Sequence, residues 1–298
     1  MRYDVKIGIE VTMTARGCNV RCNYCPQGIF VRRYKELCDT TRMEFTLETF
    51  QETIEKGQVP IDKAFTFMGF VEPFQAKETS KIIHWALRER GHTGSISTTL
   101  QGITKDDIDV IADLKDRLSD TVLHAPSNDG RMPGLKVDDN YCDLFKYAIE
   151  KWRNNPDFTI QAYDNPPHEK IYKIWADSGC HIPCFGLHDR AGLLPDLQGP
   201  YVKHGSHRGP LPICGKQLTG HLLPDGSMSR CCNDWALQCL WGNLRKNTYH
   251  EIYHSQKFRD YIKSLQDPNS DVPCRKCHDG YKQCNEADRN KGYDLIGH

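Results

Sequence analysis

Lys6-Ile-Gly-Ile-Glu-Val-Thr12, followed after a short loop by Cys18-Asn-Val-Arg-Cys22-Asn-Tyr-Cys25, is the stretch that decides the fold. The first part alternates and is β-branched, which reads as a strand. The second is a CxxxCxxC array placed where the chain leaves that strand. In a β-α architecture the carboxyl end of the strands is the face that carries chemistry. Three thiolates within eight residues can wrap one small metal centre from a single loop. Thiolates suit iron–sulfur clusters and zinc. A structural zinc ion closes with a fourth Cys or His. A cubane held by three cysteines leaves one iron open to a substrate or cosubstrate.

Outward from this stretch, strand-like and helix-like segments alternate. Leu47–Lys56 reads as a helix, with Thr46 as N-cap and Gly57 past its end. Ala64–Met68 is a short apolar run. Lys77–Arg90 has helical spacing and stops at Gly91. Gly94–Thr99 is strand-like, and Thr104–Leu114 is a helix with an acidic first turn. Asp120–His124, Tyr141–Trp152, Phe158–Tyr163 and Pro167–Asp177 continue the pattern. Repeated β-α units predict a parallel sheet covered by helices. About six such units precede residue 190, enough for an open, partial barrel and too few for eight strands. The expected fold class is α/β: a partial (β/α)6 TIM-like barrel over 1–195, a Gly/Pro/His-rich linker or lid over 196–213, and a small cysteine-rich domain over 214–298. In that last part Pro224-Asp225-Gly226 marks a hairpin turn and Tyr249–Leu265 a helix.

Composition narrows the function. The 298 residues carry 39 basic and 39 acidic side chains. No basic block longer than Arg32-Arg33 suggests a nucleic-acid footprint. No apolar run reaches the length of a membrane span, and the N-terminus has no apolar signal core, which points to the cytoplasm. Fourteen cysteines in a chain of this length and type point to metal or cluster binding rather than disulfides.

The CxxxCxxC array, with the aromatic Tyr24 just before its last cysteine, resembles the signature of the radical S-adenosylmethionine (SAM) superfamily. The resemblance implies a [4Fe-4S] cluster on Cys18, Cys22 and Cys25. Its open iron chelates SAM, which is cleaved to a 5′-deoxyadenosyl radical that abstracts hydrogen from a substrate C–H bond. Met68-Gly69-Phe70-Val71-Glu72-Pro73 resembles the family's Gly-Gly-Glu-Pro motif, with Phe70 and Val71 departing from it. It implies SAM contacts from Gly69 and Glu72: glycine allows close approach, and a carboxylate pairs with an ammonium. By position, Ser97 and Thr99 resemble the ribose-contacting strand end. The rival reading is a zinc knuckle closed by Cys38 or a distant histidine.

A second cysteine group follows. Cys214 and Cys231 stand in a C-x11-G-x4-C pattern around Gly226, and Cys274-Arg-Lys-Cys277 is a CxxC. Two such pairs can complete a four-thiolate site, for zinc or for a cluster. The pattern, with its Gly242-Asn243-Leu244 spacer, resembles the SPASM extension of radical SAM enzymes or its shorter relative, twitch. The resemblance implies one auxiliary [4Fe-4S] cluster on Cys214, Cys231, Cys274 and Cys277, with Cys232 and Cys284 as alternates. Cys38, Cys142 and Cys239 read as small buried hydrophobes. Cys180 and Cys184 are candidates for a catalytic thiol. His181, His188, His204 and His207 cluster near them, and Arg190 and Arg208 are candidate anion clamps.

The implied activity is oxidation of a small alcohol or carbohydrate-like substrate, with the auxiliary cluster as electron acceptor. The resemblance is to twitch-bearing enzymes that oxidise a secondary alcohol of an aminocyclitol. Only 17 residues precede Cys18, which leaves no room there for a leader-peptide module. Two alternatives stay open: a radical SAM maturase that crosslinks, epimerises or oxidises a peptide, and a non-enzymatic zinc module. The partners implied are a small-molecule or peptide substrate and a one-electron reductant such as flavodoxin or ferredoxin.

Overall fold

β1 (Ile9–Thr12) is a short strand with all four residues buried. Its neighbours organise the molecule, which is seen here in a computed structural model describing residues 8–163, 167–179, 184–185, 190–194, 210–211 and 219–277. Five further parallel strands fan out from β1 in sequence order: β2 (Phe65–Met68), β3 (Gly94–Thr98), β4 (Leu118–His124), β5 (Phe158–Tyr163) and β6 (Cys184–Phe185). On its other edge β1 pairs in parallel with β7 (His221–Leu222). β8 (Ser227–Ser229) and β9 (Leu240–Asn243) then follow antiparallel, giving the order 6-5-4-3-2-1-7-8-9. The C-terminal hairpin thus continues the barrel's sheet.

Helices cover this sheet. α1 (Gln27–Leu37) and α2 (Leu47–Lys56) connect β1 to β2. α2 has the bounds expected, and the Thr46 and Thr49 side chains close a capping box at its start. α3 (Thr79–His84) runs into a π-helical turn, Trp85–Glu89. α4 (Lys105–Ala112), α5 (Asp139–Trp152) and α6 (Glu169–Ser178) complete the connections. The helix expected over 249–265 is two, Tyr249–Tyr253 and Gln256–Gln266. Ser255 interrupts it because its hydroxyl caps the second helix at Phe258 N.

One large apolar core lies between sheet and helices, and the C-terminal segment is part of it. Leu222, Met228, Trp241 and Leu244 join the same cluster as Ile9, Phe50 and Phe65. Arg245 pairs with Glu52 and donates to Thr53 Oγ1 at 3.2 Å, and Tyr249 N donates to Gly57 O at 2.6 Å. Among the described residues no helix is long and apolar enough to cross a membrane.

Trp152 is fully buried, and its Nε1–H donates to Ile108 O at 2.9 Å. Trp152→Ala should cost about 3–5 kcal/mol of unfolding free energy, read by urea titration, because it opens a cavity and leaves a carbonyl without its donor.

Candidate active site

The carboxyl ends of β1 to β4 surround one cavity of about 270 Å³. Cys18, Cys22 and Cys25 line it from the loop after β1, with Tyr24 beside them. Gly69 and Glu72 enter after β2, Ser97 and Thr99 at the end of β3. Every site residue named for the N-terminal half therefore reaches a single space. Arg190, the candidate anion clamp, also lines it, as do Glu10, Thr98 and His124, which the sequence reading did not single out.

The cysteine loop is held from two sides. Gln75 Nε2 donates to Cys18 Sγ at 3.4 Å, and Asn19 N donates to Gln75 Oε1 at 3.1 Å. Opposite, Asn23 N donates to Arg131 O at 3.0 Å and Gly134 N to Val20 O at 2.9 Å. Gly134 lies so close that a Cβ there would collide with Asn19 O. The thiols of Cys22 and Cys25 share a hydrogen bond that pushes Cys22 up and Cys25 down. Burial pushes Cys18 up. Among the described residues no three Cys, His, Asp or Glu side chains converge on single-ion geometry.

Glu72 is almost fully buried and holds a strand end in place. Its carboxylate accepts from Thr98 Oγ1 at 2.6 Å, Thr99 N at 2.8 Å and Thr99 Oγ1 at 2.7 Å. Burial pushes its pKa above the ordinary carboxylate range, against these donors. Thr98, not Ser97, is the second hydroxyl on Glu72. Gly69 has φ +95°, and a Cβ there would stand 2.5 Å from Thr12 Oγ1. Close packing on β1 is thus a sufficient reason for this glycine.

The second cysteine group surrounds a buried charge. Arg230 is 1% exposed, and its Nε donates to Cys231 Sγ at 3.4 Å and Nη1 to Cys239 Sγ at 4.0 Å. Cys274 lies in the same field, with Tyr261 OH 3.1 Å from its Sγ. Asn233 Nδ2 donates to Cys277 Sγ at 3.7 Å. A buried guanidinium needs compensating negative charge. Asp234 supplies part, and thiolates bound to a cluster supply more, so this donor set fits an iron–sulfur group. Cys239 packs against the apolar core, as read, and also meets Arg230, while Cys142 sits within that core. Cys231 and Cys232 diverge: Cys231 faces Arg230, and Cys232 lines the first cavity with Trp235. Cys214, Cys284, Cys180, His181, His188, His204, His207, Arg208 and the side chain of Cys184 lie outside the described residues.

Residues 214–278 match the family model SPASM, an iron–sulfur cluster-binding domain. Comparison with curated proteins finds no match. Among solved structures the chain is similar to BtrN in complex with AdoMet and 2-DOIA, at 13% identity and TM-score 0.54 over 97% of this chain and 94% of that chain. It is similar to anSMEcpe with bound AdoMet and Cp18Cys peptide, at 14% identity and TM-score 0.56 over 91% and 85%. It also resembles Streptococcus suis SuiB bound to precursor peptide SuiA, at 13% identity and TM-score 0.60 over 92% and 70%. The likeness to these structures is one of fold, a partial barrel followed by a segment that matches the SPASM model. The domain family that this segment matches is one that binds iron–sulfur clusters.

Two histidines at the site are neutral in the fold. Burial and the nearby Arg190 charge hold His124 down to about 4, and burial alone holds His221 down to about 3. Unfolded histidine titrates near pH ~6.5, so the unfolded state takes up protons that the native state refuses. Stability should therefore fall as pH drops from about 6.5 toward the folded values. Between pH ~6 and ~4 the wild type should lose about 2 kcal/mol more in total than His124→Gln. Parallel curves in urea unfolding would contradict a buried, neutral His124.

Proposed function

We propose that this chain, a radical SAM enzyme with a SPASM domain, is an oxidoreductase that dehydrogenates a small alcohol or carbohydrate-like substrate. The observation that carries the reading is one cavity lined by Cys18, Cys22 and Cys25 and also by Cys232 and Trp235, which follow directly on Cys231 of the second cysteine group. An electron leaving a substrate held there has the C-terminal segment as its neighbour. Near-complete mutual coverage with BtrN, solved in complex with AdoMet and 2-DOIA, supports this reading.

In this reading Cys18, Cys22 and Cys25 hold the SAM-binding cluster. Cys231, Cys274 and Cys277 hold the auxiliary one together with Cys214. When bound, the first cluster would pass an electron from an external reductant to SAM, giving a 5′-deoxyadenosyl radical for hydrogen-atom abstraction, and the second would serve as a one-electron acceptor. The protein's own residues bind and orient. Glu72 fixes the end of β3 through Thr98 and Thr99 and sets a negative charge for the ammonium of SAM. Gly69 and Tyr24 shape the wall around that ligand, while Ser97 and Thr99 offer hydroxyls to its ribose. Oxidation also releases a proton, and Glu10 and His124 are acceptors on the same wall.

Anaerobically reconstituted protein should hold about eight irons, four for each of two clusters. Given SAM, a one-electron reductant such as dithionite, and small alcohols or sugars, it should yield 5′-deoxyadenosine, methionine and a carbonyl product. Alanine at Cys18, Cys22 or Cys25 should abolish SAM cleavage. Alanine at Cys231 or Cys274 should leave SAM cleavage at saturating SAM and stop carbonyl formation. Normal carbonyl yield from those two variants would remove the auxiliary cluster's role.

A peptide-epimerising reading is favoured by Cys232 alone, a thiol on the cavity wall from which a hydrogen atom can return to a substrate carbon. Deuterium from solvent at a peptide Cα, lost in Cys232→Ala, would select it over dehydrogenation.

A further inference from the structure

Phe70 stands where the Gly-Gly-Glu-Pro pattern has glycine, and its surroundings make the exception informative. The ring is 1% exposed. It lies 4.1 Å from the His221 ring at 6° between planes, 4.7 Å from Trp235 and 4.8 Å from Phe30. These contacts come from three directions: His221 from β7, Trp235 from the loop after Cys231, and Phe30 from the helix after the CxxxCxxC loop. The Phe70 backbone is fixed as well. Its N–H donates to Thr12 Oγ1 at 3.0 Å, and its carbonyl accepts from Gln27. Thr12 Oγ1 lies 2.5 Å from His221 Nε2. With Thr12 as donor there, the ring proton sits on Nδ1, 3.6 Å from Glu10 Oε1 on the cavity wall.

Trp235 is tied to the second cysteine group. Asp234 N donates to Cys231 O at 3.0 Å, and the Asp234 carboxylate accepts from Gln238 N and Cys239 N at 2.9 and 3.0 Å. Residues 231–239 therefore form one braced turn, with Cys231 at its start and Trp235 on Phe70. A shift of Cys231 moves Trp235, and Trp235 bears on the loop that leads to Glu72. Packed aromatic contacts hold discrete arrangements and transmit displacement.

We propose that Phe70, clasped between His221 and Trp235, couples the two cluster-binding segments, so that occupancy of the C-terminal site sets the affinity of the N-terminal cavity for SAM. Phe70 acts here as a positioning residue. The inference rests on the SAM-binding reading above and adds that the two sites communicate. Such coupling is reciprocal, so SAM should also protect the C-terminal cluster from loss.

The test is SAM binding by equilibrium dialysis on the full, anaerobically reconstituted chain, with iron counted in each sample. The electron paramagnetic resonance spectrum of the reduced N-terminal cluster is recorded with and without SAM. Cys231→Ala, which removes an auxiliary ligand, should weaken SAM binding by about tenfold, a usual size for coupling between sites. Phe70→Leu keeps every cysteine and should retain about eight irons while showing the same loss of affinity. The double variant should bind no more weakly than either single one, because the link is cut once. Unchanged affinity in Phe70→Leu overturns the coupling even if Cys231→Ala fails to fold, and so do additive losses in the double variant. Wild-type protein that binds no SAM overturns the functional reading and this inference together, whereas wild-type binding with indifferent variants overturns only this one.

Discussion

The pairing of β1 on both edges is the constraint on which the site depends. A strand of four residues has little hold of its own, yet β1 is bonded to β2 over its whole length and to β7 at Glu10 and Val11. Ile9 and Val11 are buried among the core side chains, while Glu10 lines the cavity and Thr12 meets His221 and Phe70 N. Alternation along the strand divides these tasks. The cysteine loop leaves this fixed point, so its three thiols inherit a defined origin. Bracing at Gln75 and Gly134 then sets their direction. Loss of the β7 pairing would free one edge of β1 and with it the start of that loop.

Two buried charges of opposite sign show how the halves of the site are prepared differently. Glu72 is a carboxylate whose burial cost is met only in part by hydroxyl and amide donors from the adjacent strand end, so its pKa is still raised. Those donors leave its negative charge uncancelled, which suits a cationic ligand group. Arg230 is a guanidinium among thiols, tyrosine and Asp234. Its charge makes the ionised forms of the surrounding cysteines easier to hold in a dry interior. One half thus presents negative charge to a ligand, and the other presents positive charge to thiolates.

Much of this was legible in the sequence because it is written in local signals. The α2 bounds follow from Thr46 and Gly57, and the β7–β8 hairpin from Pro224-Asp225-Gly226. The parallel fan follows from alternating periods. α1 was not read, although Pro26 precedes it and Phe30 and Tyr34 stand one turn apart on its buried face. Those apolar residues are diluted by Arg32, Arg33 and Lys35, so the period is weak. The cysteine loop, Gly69 and Glu72 carry motif spacing. Glu10, His124 and Arg230 carry none, because each gains its place from strands or loops far apart in sequence. Cys239 shows the same limit: only the fold brings it to Arg230.

Phe70 and Gly69 illustrate how a departure from a motif is absorbed. The pattern's two adjacent glycines correspond here to Phe70 and Val71, and the glycine of this loop stands one place earlier, at Gly69. Gly69 passes over Thr12, where a Cβ has no room. At position 70 the side chain points into a space that His221, Trp235 and Phe30 line, and a glycine there would leave a void among aromatic rings. Two of those three rings come from the C-terminal segment. A phenylalanine at this position is therefore compatible only with a C-terminal segment packed against it, and the substitution in the loop and the hairpin on β1 are parts of one arrangement. The same ring that fills the void gives the hairpin a surface to dock on, so the shape of the SAM-side loop is completed from outside the barrel's own six strands.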